Sequence, residues 1–185
     1  MMQPGAEIAY TVTYLEMTER PSYDWPSLPP GPPAALIGAE QPPVWYFLAL
    51  YGAVGGSYEW TDWLQRPEEE ARAFIQHPDV SLHTLMRNGW PAGFFMLDSR
   101  EAGRCELAYF GLVPEAVGLG LGSWMLRTAV HMGWDREGTE RMTVETCSLD
   151  HPRAITLYQR AGFEPVGQER KSRVLTRPRP QQTES

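Results

Sequence analysis

The pattern of apolar and polar positions divides the chain into alternating strand-like and helix-like segments. Stretches rich in β-branched and aromatic residues predict strands, and stretches with apolar residues at helical spacing predict helices. The predicted strands cover residues 8–17, 80–87, 90–98, 106–113, 142–146 and 163–175. The predicted helices cover residues 44–52, 68–77, 119–134 and 152–160. This order predicts a single domain over residues 1–176.

Turn and loop signals interrupt this alternation in three places. Residues 19–43 are crowded with prolines, which neither a helix nor a sheet interior tolerates, so we expect an extended surface loop within the domain. Asn88-Gly89 predicts a type I′ hairpin turn, because both positions of that turn need a positive φ. Residues 177–185, rich in proline and glutamine, predict a disordered tail.

Composition and charge narrow the class of protein. The 185 residues, of which 42% are hydrophobic, suit one domain with a sizeable core. The net charge of -7 argues against a nucleic-acid partner, and no apolar run reaches the roughly 18 residues of a membrane helix. Residues 1–10 lack the features of a signal peptide, so we expect a cytoplasmic protein with free thiols at Cys105 and Cys147. The sequence leaves the oligomeric state open and is compatible with a homodimer.

A glycine-rich stretch lies between the strand predicted at 106–113 and the next helix. Gly118, Gly120 and Gly122 alternate with leucine, and apolar residues at helical spacing follow. Glycines let a backbone approach a ligand closely, and the unpaired N–H groups of a helix N-terminus attract anions. The stretch fits neither the G-x-G-x-x-G fingerprint nor a Walker A loop, which requires lysine. Taken alone, it indicates a phosphate-binding loop or, equally, a packing connection.

Two motifs, in this order, resemble those of the GNAT N-acetyltransferase superfamily. Residues 117–122, Val-Gly-Leu-Gly-Leu-Gly, are similar to motif A, Arg/Gln-x-x-Gly-x-Gly/Ala, which binds the pyrophosphate of acetyl-CoA in that family. Residues 151–163 resemble motif B, Asn-x-x-Ala-x-x-Leu-Tyr-x-x-x-Gly-Phe. The chain departs from the family at two positions, since Val117 replaces the Arg/Gln and His151 replaces the Asn.

The resemblance implies a fold, a reaction and a donor site. The fold would be α/β (α+β), with a central mixed, mostly antiparallel sheet of about six to seven strands flanked by about four helices. The reaction would move an acetyl group from acetyl-CoA to a small-molecule or peptide amine, with no metal. The acetyl-CoA contacts that it implies are Leu112, Val113, Val117, Gly118, Leu119, Gly120, Leu121, Gly122, Ser123, His151 and Tyr158.

Tyr158 and Glu106 are the predicted catalytic residues. Tyr158 matches the tyrosine that the family uses as general acid toward the coenzyme A sulfur, and the alternative is a core tyrosine with a satisfied hydroxyl. Glu106 begins the central strand, where several family members carry a general base, and the alternative is a solvent-facing carboxylate. Strand alternation would place Glu106 on one face with Ala108 and Phe110.

Other residues compete for the base and supply the predicted acceptor site. Glu145 on the neighbouring strand is a rival base, and His151 is either a base, a ligand contact or part of a helix cap. The acceptor is expected between the N-terminal helices and the central strands, where aromatic faces suit a cation or simply a core. The residues predicted to contact it are Trp45, Tyr46, Trp60 and Glu145.

Two other functions compete with acetyl transfer. A catalytically silent acyl-CoA-binding or regulatory domain would keep the glycine loop without turnover. The two departures from the family motifs keep this alternative open, whereas the retained Tyr158 and Glu106 argue against it. A hydrolase using Ser148, Asp150 and His151 is disfavoured, because a triad needs its members brought together from separate elements.

Overall fold

A computed structural model describes residues 1–179, and over these residues the chain forms a seven-stranded sheet with five α-helices. The strands are β1 (Glu7–Met17), β2 (Ala34–Ala39), β3 (Val80–Arg87), β4 (Trp90–Asp98), β5 (Arg104–Leu112), β6 (Arg141–Cys147) and β7 (Glu164–Val174). The helices are α1 (Val44–Gly55), α2 (Asp62–Gln65), α3 (Glu68–Ile75), α4 (Leu121–Trp134) and α5 (Ala154–Arg160). The strand order is β2-β3-β4-β5-β6-β1-β7, and only β5 and β6 are parallel. The predicted mixed, mostly antiparallel sheet is thus confirmed.

The sheet divides between β5 and β6. Their parallel register runs only from Arg104–Arg141 to Glu106–Thr143. Beyond Glu106, β5 stays paired with β4, whereas β6 is paired with β1. The two strands therefore separate toward their carboxyl ends, and the peptide groups of β5 that point away from β4 lose a strand partner there. This division creates the space that the functional site occupies.

The proline-rich segment contains a strand that the sequence analysis missed. Residues 34–39, predicted as loop, form β2 and pair with β3 at one edge of the sheet. The strand fits between Pro33 and Pro42, and an edge position tolerates neighbouring prolines because one side of the strand needs no ladder hydrogen bonds. Residues 19–33 do run as a surface segment, along which the Pro26 carbonyl accepts a hydrogen bond from Trp124 Nε1 of α4 at 3.1 Å.

Helices cover both faces of the sheet near its centre. Residues 92–98 of β4 are all buried, and successive side chains of a strand point to opposite faces, so both faces are packed. Helix α1 packs on β4 and β5, α3 on β3, and α4 on β4, β5 and β6. Both α1 and α4 contact β5, and α4 also contacts β6, so helices lie beside the division between β5 and β6.

Local predictions hold at the hairpin and at the cysteines. Asn88 and Gly89 both have positive φ, of 52° and 82°, as the predicted type I′ turn requires. Cys105 and Cys147 are both free thiols. The predicted tail begins at Arg177, but the chain stays paired through Arg179, whose N–H and C=O groups bond to Met2. The rest of that tail, residues 180–185, lies outside the described residues.

Candidate active site

Two cavities meet where β5 and β6 separate. The glycine-loop cavity has a volume of about 400 Å³ and is lined by residues of β5, of the loop before α4, and of α5. The aromatic cavity has a volume of about 800 Å³ and is lined by β1, β5, β6, β7, α3 and residues 58–66. A common wall belongs to both cavities and consists of Tyr58, Trp60, Ala108, Tyr109, Glu145, Thr146 and Asp150.

The glycine loop lies at the end of its cavity away from the common wall. Gly118 and Gly120 have φ of 87° and 75°, and a Cβ on either would meet no atom within 4 Å. Tight packing therefore does not require glycine at either position. Glycine is favoured because the backbone is left-handed there, and the missing side chains leave the loop accessible to a ligand. Helix α4 begins directly after Gly120, so its first N–H groups, without intrahelical partners, lie beside the cavity.

Not every predicted loop contact faces the cavity. Val117, Gly118, Gly120, Gly122 and Ser123 line it. The two leucines of the motif do not line the cavity. Leu119 is half exposed to solvent, and Leu121 is fully buried in the core. The N–H of Val117 is also engaged, since it donates to the Pro114 carbonyl at 3.2 Å, so the loop amides open to a ligand begin after Val117.

The end of β5 offers peptide groups to the same cavity. The Val113 N–H donates to the Ala92 carbonyl of β4 at 3.0 Å, so this predicted contact is committed to the sheet. Hydrogen-bonded and non-bonded pairs alternate in an antiparallel ladder, so the peptide groups of Leu112 and Phe110 point away from β4. They face the side on which β6 has separated, and both residues line the cavity.

A β-bulge changes which side chains of β5 share a face. The register with β4 shifts between Met96 and Leu97, which leaves Ala108 as an extra residue on β5. Glu106 therefore lines the aromatic cavity, whereas Phe110 lines only the glycine-loop cavity. The predicted placement of Glu106 and Phe110 on one face is wrong, because simple alternation does not survive a bulge.

Tyr158 stands on α5 in the glycine-loop cavity. Its side chain is buried, and its ring packs edge-on against Phe110 and Phe163 at centroid distances of 6.1 Å each. Burial raises the pKa of the Tyr158 hydroxyl above its ordinary value of 10, and the negative charge of Asp150 raises that pKa further. The phenol is consequently protonated at neutral pH.

His151 lines the same cavity and shapes the start of α5. Its Nδ1 accepts a hydrogen bond from the Arg153 N–H at 3.2 Å, and its carbonyl accepts one from the Ala154 N–H at 2.8 Å. The helix accordingly begins at Ala154, two residues later than predicted. The imidazole thus stabilises the turn before α5, but the N-cap position is Arg153 and no side chain caps this helix, so the predicted capping role is wrong.

Carboxylates line the aromatic cavity where the sheet divides. Glu106 on β5 lies 3.5 Å from the Arg104 guanidinium. Glu106 pairs with Thr143 on β6, and Glu145 is two residues further along that strand. Burial raises the pKa of Glu106 above its ordinary value of 4.5, Arg104 opposes that shift, and the charges of Glu145 and Asp98 add to it. Glu145 belongs to the common wall, whereas Glu106 faces the aromatic cavity alone.

A hydrogen bond between Trp60 and Asp150 joins the two sides of the common wall. Trp60 Nε1 donates to Asp150 Oδ1 at 3.2 Å, while Asp150 Oδ2 accepts from Thr146 Oγ1 at 2.8 Å and from the Cys147 N–H at 2.9 Å. The indole fills a slot above Gly55, where an added Cβ would lie 2.2 Å from the ring. The sequence predicted Trp60 at the acceptor site, whereas it offered Asp150 as a member of a hydrolase triad.

The structure does not bring the other two predicted acceptor residues to either cavity. Trp45 on α1 is 69% exposed and lines neither. Tyr46 hydrogen-bonds to the Thr84 hydroxyl at 2.8 Å, away from both cavities. The aromatic surface comes instead from Tyr51, Tyr58, Trp60, Trp63, Phe74 and Tyr109. Helical spacing alone gave no signal that would separate these rings from the core.

Together the two cavities can hold two ligands whose reacting ends meet at one wall. One cavity has a glycine loop and helix N-terminus suited to phosphate groups, and the other has aromatic rings and carboxylates suited to a cation. Among residues 1–179, no group of three or more His, Cys, Asp or Glu side chains is arranged to hold a metal ion. Over the same residues, no helix is long and apolar enough to cross a membrane.

The sequence profile of the acetyltransferase (GNAT) family matches residues 45–163. The chain therefore belongs to the GNAT acetyltransferase family, as the two motifs predicted. The fold of this α/β domain is likewise that of GNAT proteins. Comparison with curated proteins finds no match.

Solved structures share the fold at low sequence identity. A GCN5-related N-acetyltransferase from Kribbella flavida is 20% identical with a TM-score of 0.59, over 88% of this chain and 56% of that one. One from Sphaerobacter thermophilus is 17% identical with a TM-score of 0.57, over 92% and 53%. An aminoglycoside acetyltransferase from an uncultured soil metagenomic sample is 10% identical with a TM-score of 0.56, over 69% and 86%. The chain spans little more than half the length of the first two proteins.

Proposed function

We propose that the protein is an N-acetyltransferase that moves the acetyl group of acetyl-CoA directly to an amine while both are bound. The observation that carries this proposal is the common wall, where the glycine-loop cavity and the aromatic cavity meet. Two ligands that enter from opposite sides can bring their reacting atoms together there. Holding both reactants in one complex removes much of the entropic cost of their encounter.

The glycine-loop cavity offers groups that suit the diphosphate, the pantetheine arm and the thioester of the donor. The amides after Val117 and the start of α4 suit the diphosphate, as backbone N–H groups at a helix N-terminus bind phosphate. The free peptide groups of Phe110 and Leu112 suit the amides of the pantetheine arm, which would lie beside β5 like an added strand. The thioester then lies near Tyr158, and the Leu112 N–H is a donor for its carbonyl oxygen.

The proposed general base is Glu106, and the proposed general acid is Tyr158. Glu106 accepts a proton of the bound ammonium through a water molecule, and the amine nitrogen then forms a bond to the acetyl carbon. The carbon–sulfur bond breaks, Tyr158 donates its hydroxyl proton to the departing sulfur, and the nitrogen loses its second proton to water as the amide forms. Burial makes Glu106 a stronger base than an exposed glutamate and keeps Tyr158 protonated until the sulfur takes its proton. Exchange with solvent restores both side chains.

Direct attack is favoured over an acetyl-enzyme intermediate on Cys147. This thiol lines the aromatic cavity, but burial raises its pKa to about 11, and the charge of Asp150 contributes to that shift. The thiolate, which is the nucleophilic form, is therefore scarce at neutral pH. Free thiols at both cysteines also agree with a reducing compartment, and we propose that the protein acts in the cytoplasm.

The aromatic cavity favours an amine that carries a positive charge before it reacts. Tyr58, Trp60 and Tyr109 belong to the common wall, where Glu145 and Asp150 add negative charge. The cations that line the aromatic cavity lie outside this wall and are Arg66, Arg100, Lys171 and Arg173. Aromatic faces and carboxylates both attract ammonium groups. The identity of the acceptor beyond this chemistry depends on the wider cavity, which is open to solvent.

Release of the coenzyme A thiol tests the proposal. The purified protein would be mixed with acetyl-CoA and a panel of alkyl amines, amino acids and aminoglycosides, and thiol formation would be followed with a chromogenic reagent. We expect release that depends on at least one amine and that is absent with the matching alcohols. Binding of acetyl-CoA without release by any amine would contradict catalysis and would favour a silent acyl-CoA-binding domain.

A further inference from the structure

The glycine loop, residues 117–123, has no cationic side chain to pair with the phosphates of acyl-CoA. Coenzyme A carries a diphosphate and a 3′-phosphate, while the protein has a net charge of -7. The position at which the family has Arg or Gln is Val117, which is apolar and 40% exposed. Backbone amides alone would therefore face several negative charges, so a cationic side chain from elsewhere in the fold would improve binding.

One guanidinium lies in the described lining of the glycine-loop cavity. Arg153, at the residue before α5, is the sole lysine or arginine among the residues that line it. Arg153 is absent from the lining of the aromatic cavity, so it lies away from the common wall. The carboxylates of the glycine-loop cavity, Glu145 and Asp150, occupy that common wall instead. The cavity is thus positive on one side and negative where the acyl group would react.

The local geometry of α5 places Arg153 beside the glycine loop. The Leu157 N–H donates to the Arg153 carbonyl at 2.9 Å, so the two residues are one helical turn apart and share a face. A Cβ on Gly122 would lie 4.0 Å from Leu157 Cδ2, which puts that face of α5 against the first turn of α4. Arg153 lies one turn closer than Leu157 to the start of α5, and both residues line the glycine-loop cavity.

The Arg153 guanidinium is available for a ligand. The side chain is exposed, and within residues 1–179 it takes part in none of the ion pairs or side-chain hydrogen bonds. Its backbone is nevertheless fixed, because its N–H bonds to His151 Nδ1. Arg127 of α4 differs, since its guanidinium lies over the Tyr23 ring at 4.7 Å. Arg153 therefore combines a fixed backbone with a guanidinium that the described part of the chain does not engage, and this combination suits a phosphate contact.

We propose that Arg153 binds a phosphate group of the acyl-CoA donor and supplies the positive charge that Val117 cannot. The inference rests on the proposed function, because it assumes that the glycine-loop cavity holds acyl-CoA. Both the diphosphate and the 3′-phosphate offer the same chemistry to a guanidinium, namely charge-assisted hydrogen bonds to phosphate oxygens.

Calorimetric titration of Arg153→Gln tests this assignment, with Arg160→Gln as the matched control. Arg160 lies in the last turn of the same helix and does not line the cavity. We expect Arg153→Gln to weaken coenzyme A binding about tenfold and Arg160→Gln to leave it within about twofold of the unaltered protein. Pantetheine, which has no phosphate, should bind all three proteins alike. The dependence of affinity on salt should also be shallower for Arg153→Gln.

Titration with 3′-dephospho-coenzyme A distinguishes the two phosphate sources. If Arg153 pairs with the 3′-phosphate, its substitution costs no affinity for this ligand, and if it pairs with the diphosphate, the tenfold loss persists. Equal coenzyme A affinities for the two variants would overturn the Arg153 assignment and leave the proposed function standing. Failure of the unaltered protein to bind coenzyme A would instead remove the proposed function, and this inference with it.

Discussion

The glycine-loop cavity and the aromatic cavity are built in different ways. The first is formed largely by two contiguous stretches, residues 117–123 and 151–158, set against one strand. The second draws single residues from β1, residues 58–66, α3, β5, β6 and β7, which lie far apart in the chain. Its volume of about 800 Å³ is also twice the 400 Å³ of the first.

The two cavities therefore differ in how much of their ligand recognition a local sequence motif can encode. Phosphate groups and pantetheine are recognised by backbone amides and a helix N-terminus, which local sequence motifs can encode. An acceptor is recognised by side chains that only the tertiary fold assembles. We therefore propose that the donor binds in the glycine-loop cavity, that the acceptor binds in the aromatic cavity, and that they react at the common wall.

The largest expected effect comes from Tyr158→Phe, which should uncouple binding from chemistry in the glycine-loop cavity. The substitution removes the proton donor for the sulfur but keeps the ring contacts with Phe110 and Phe163. Loss of a general acid lowers kcat by about 10²–10⁴-fold, so we expect a loss near the middle of that range. Acetyl-CoA affinity, measured by calorimetry, should be unchanged. A loss of affinity equal to the loss of kcat would show that Tyr158 is a structural residue instead.

Glu106→Gln should lower kcat roughly 100-fold, because it removes the proposed general base from the aromatic cavity. The base must be deprotonated to work, so turnover of the unaltered enzyme should rise with pH through the pKa of Glu106. Burial places the midpoint of that rise above 4.5. The variant should lose this limb of the pH–rate profile, whereas the matched Glu145→Gln variant should retain it.

If Glu145→Gln abolishes the acid limb and Glu106→Gln preserves it, the base belongs to β6. That result would move the proton acceptor into the common wall and would leave Glu106 as a partner of Arg104. The pair of variants therefore decides between the two carboxylates that the sequence left open.

Gly120→Val should weaken coenzyme A binding by about 30-fold without affecting acceptor recognition. The valine must adopt a φ near 75° and would cover amides that face the phosphates. Gly138→Val is the matched control, because Gly138 has φ of 77°, also has open space around it and lies outside both cavities. Thermal melting should record similar destabilisation in both. An equal loss of coenzyme A affinity in the control would mean that strain alone explains the effect.

The smallest effect should come from Trp60→Phe, which keeps an aromatic ring in the wall but removes the N–H bonded to Asp150. Loss of one such bond costs about 0.5–1.5 kcal/mol of folding stability. Because Asp150 would then keep only two of its three hydrogen bonds in the common wall, we expect the acceptor KM to rise by no more than roughly tenfold. Trp45→Phe, at an exposed tryptophan that lines neither cavity, should leave the acceptor KM unaltered. A change in acetyl-CoA affinity larger than the change in acceptor KM would assign Trp60 to the donor.

The sequence predicted most of the fold because its strands and helices carry clear periodic patterns. The exceptions are α2, whose four residues make only about one helical turn, and β2, where six residues between prolines leave too short a pattern to distinguish from loop. Its strand state depends on pairing with β3, which is a tertiary effect. The bulge at Ala108 was equally invisible, since an extra residue in one strand is defined only by its partner.

The candidate site was predictable where it is local and not where it is assembled. Tyr158 and the glycines lie in short motifs, and the structure places them in one cavity. Trp45 and Trp60 both lie in aromatic stretches of the sequence, yet Trp45 is largely exposed and Trp60 lines the aromatic cavity. Only the tertiary structure determines which of them lies where β5 and β6 separate. Asp150 acquires its place from three hydrogen bonds to separate groups, and no sequence pattern records them.

Initial-rate kinetics with acetyl-CoA and the best amine of the panel test the central claim most directly. If the two cavities hold donor and acceptor together, reciprocal plots at varied concentrations of both will intersect, and no coenzyme A will be released before the amine is added. Parallel lines, with a burst of coenzyme A equal to the enzyme concentration in the absence of amine, would contradict direct transfer across the common wall and would return Cys147 to the mechanism.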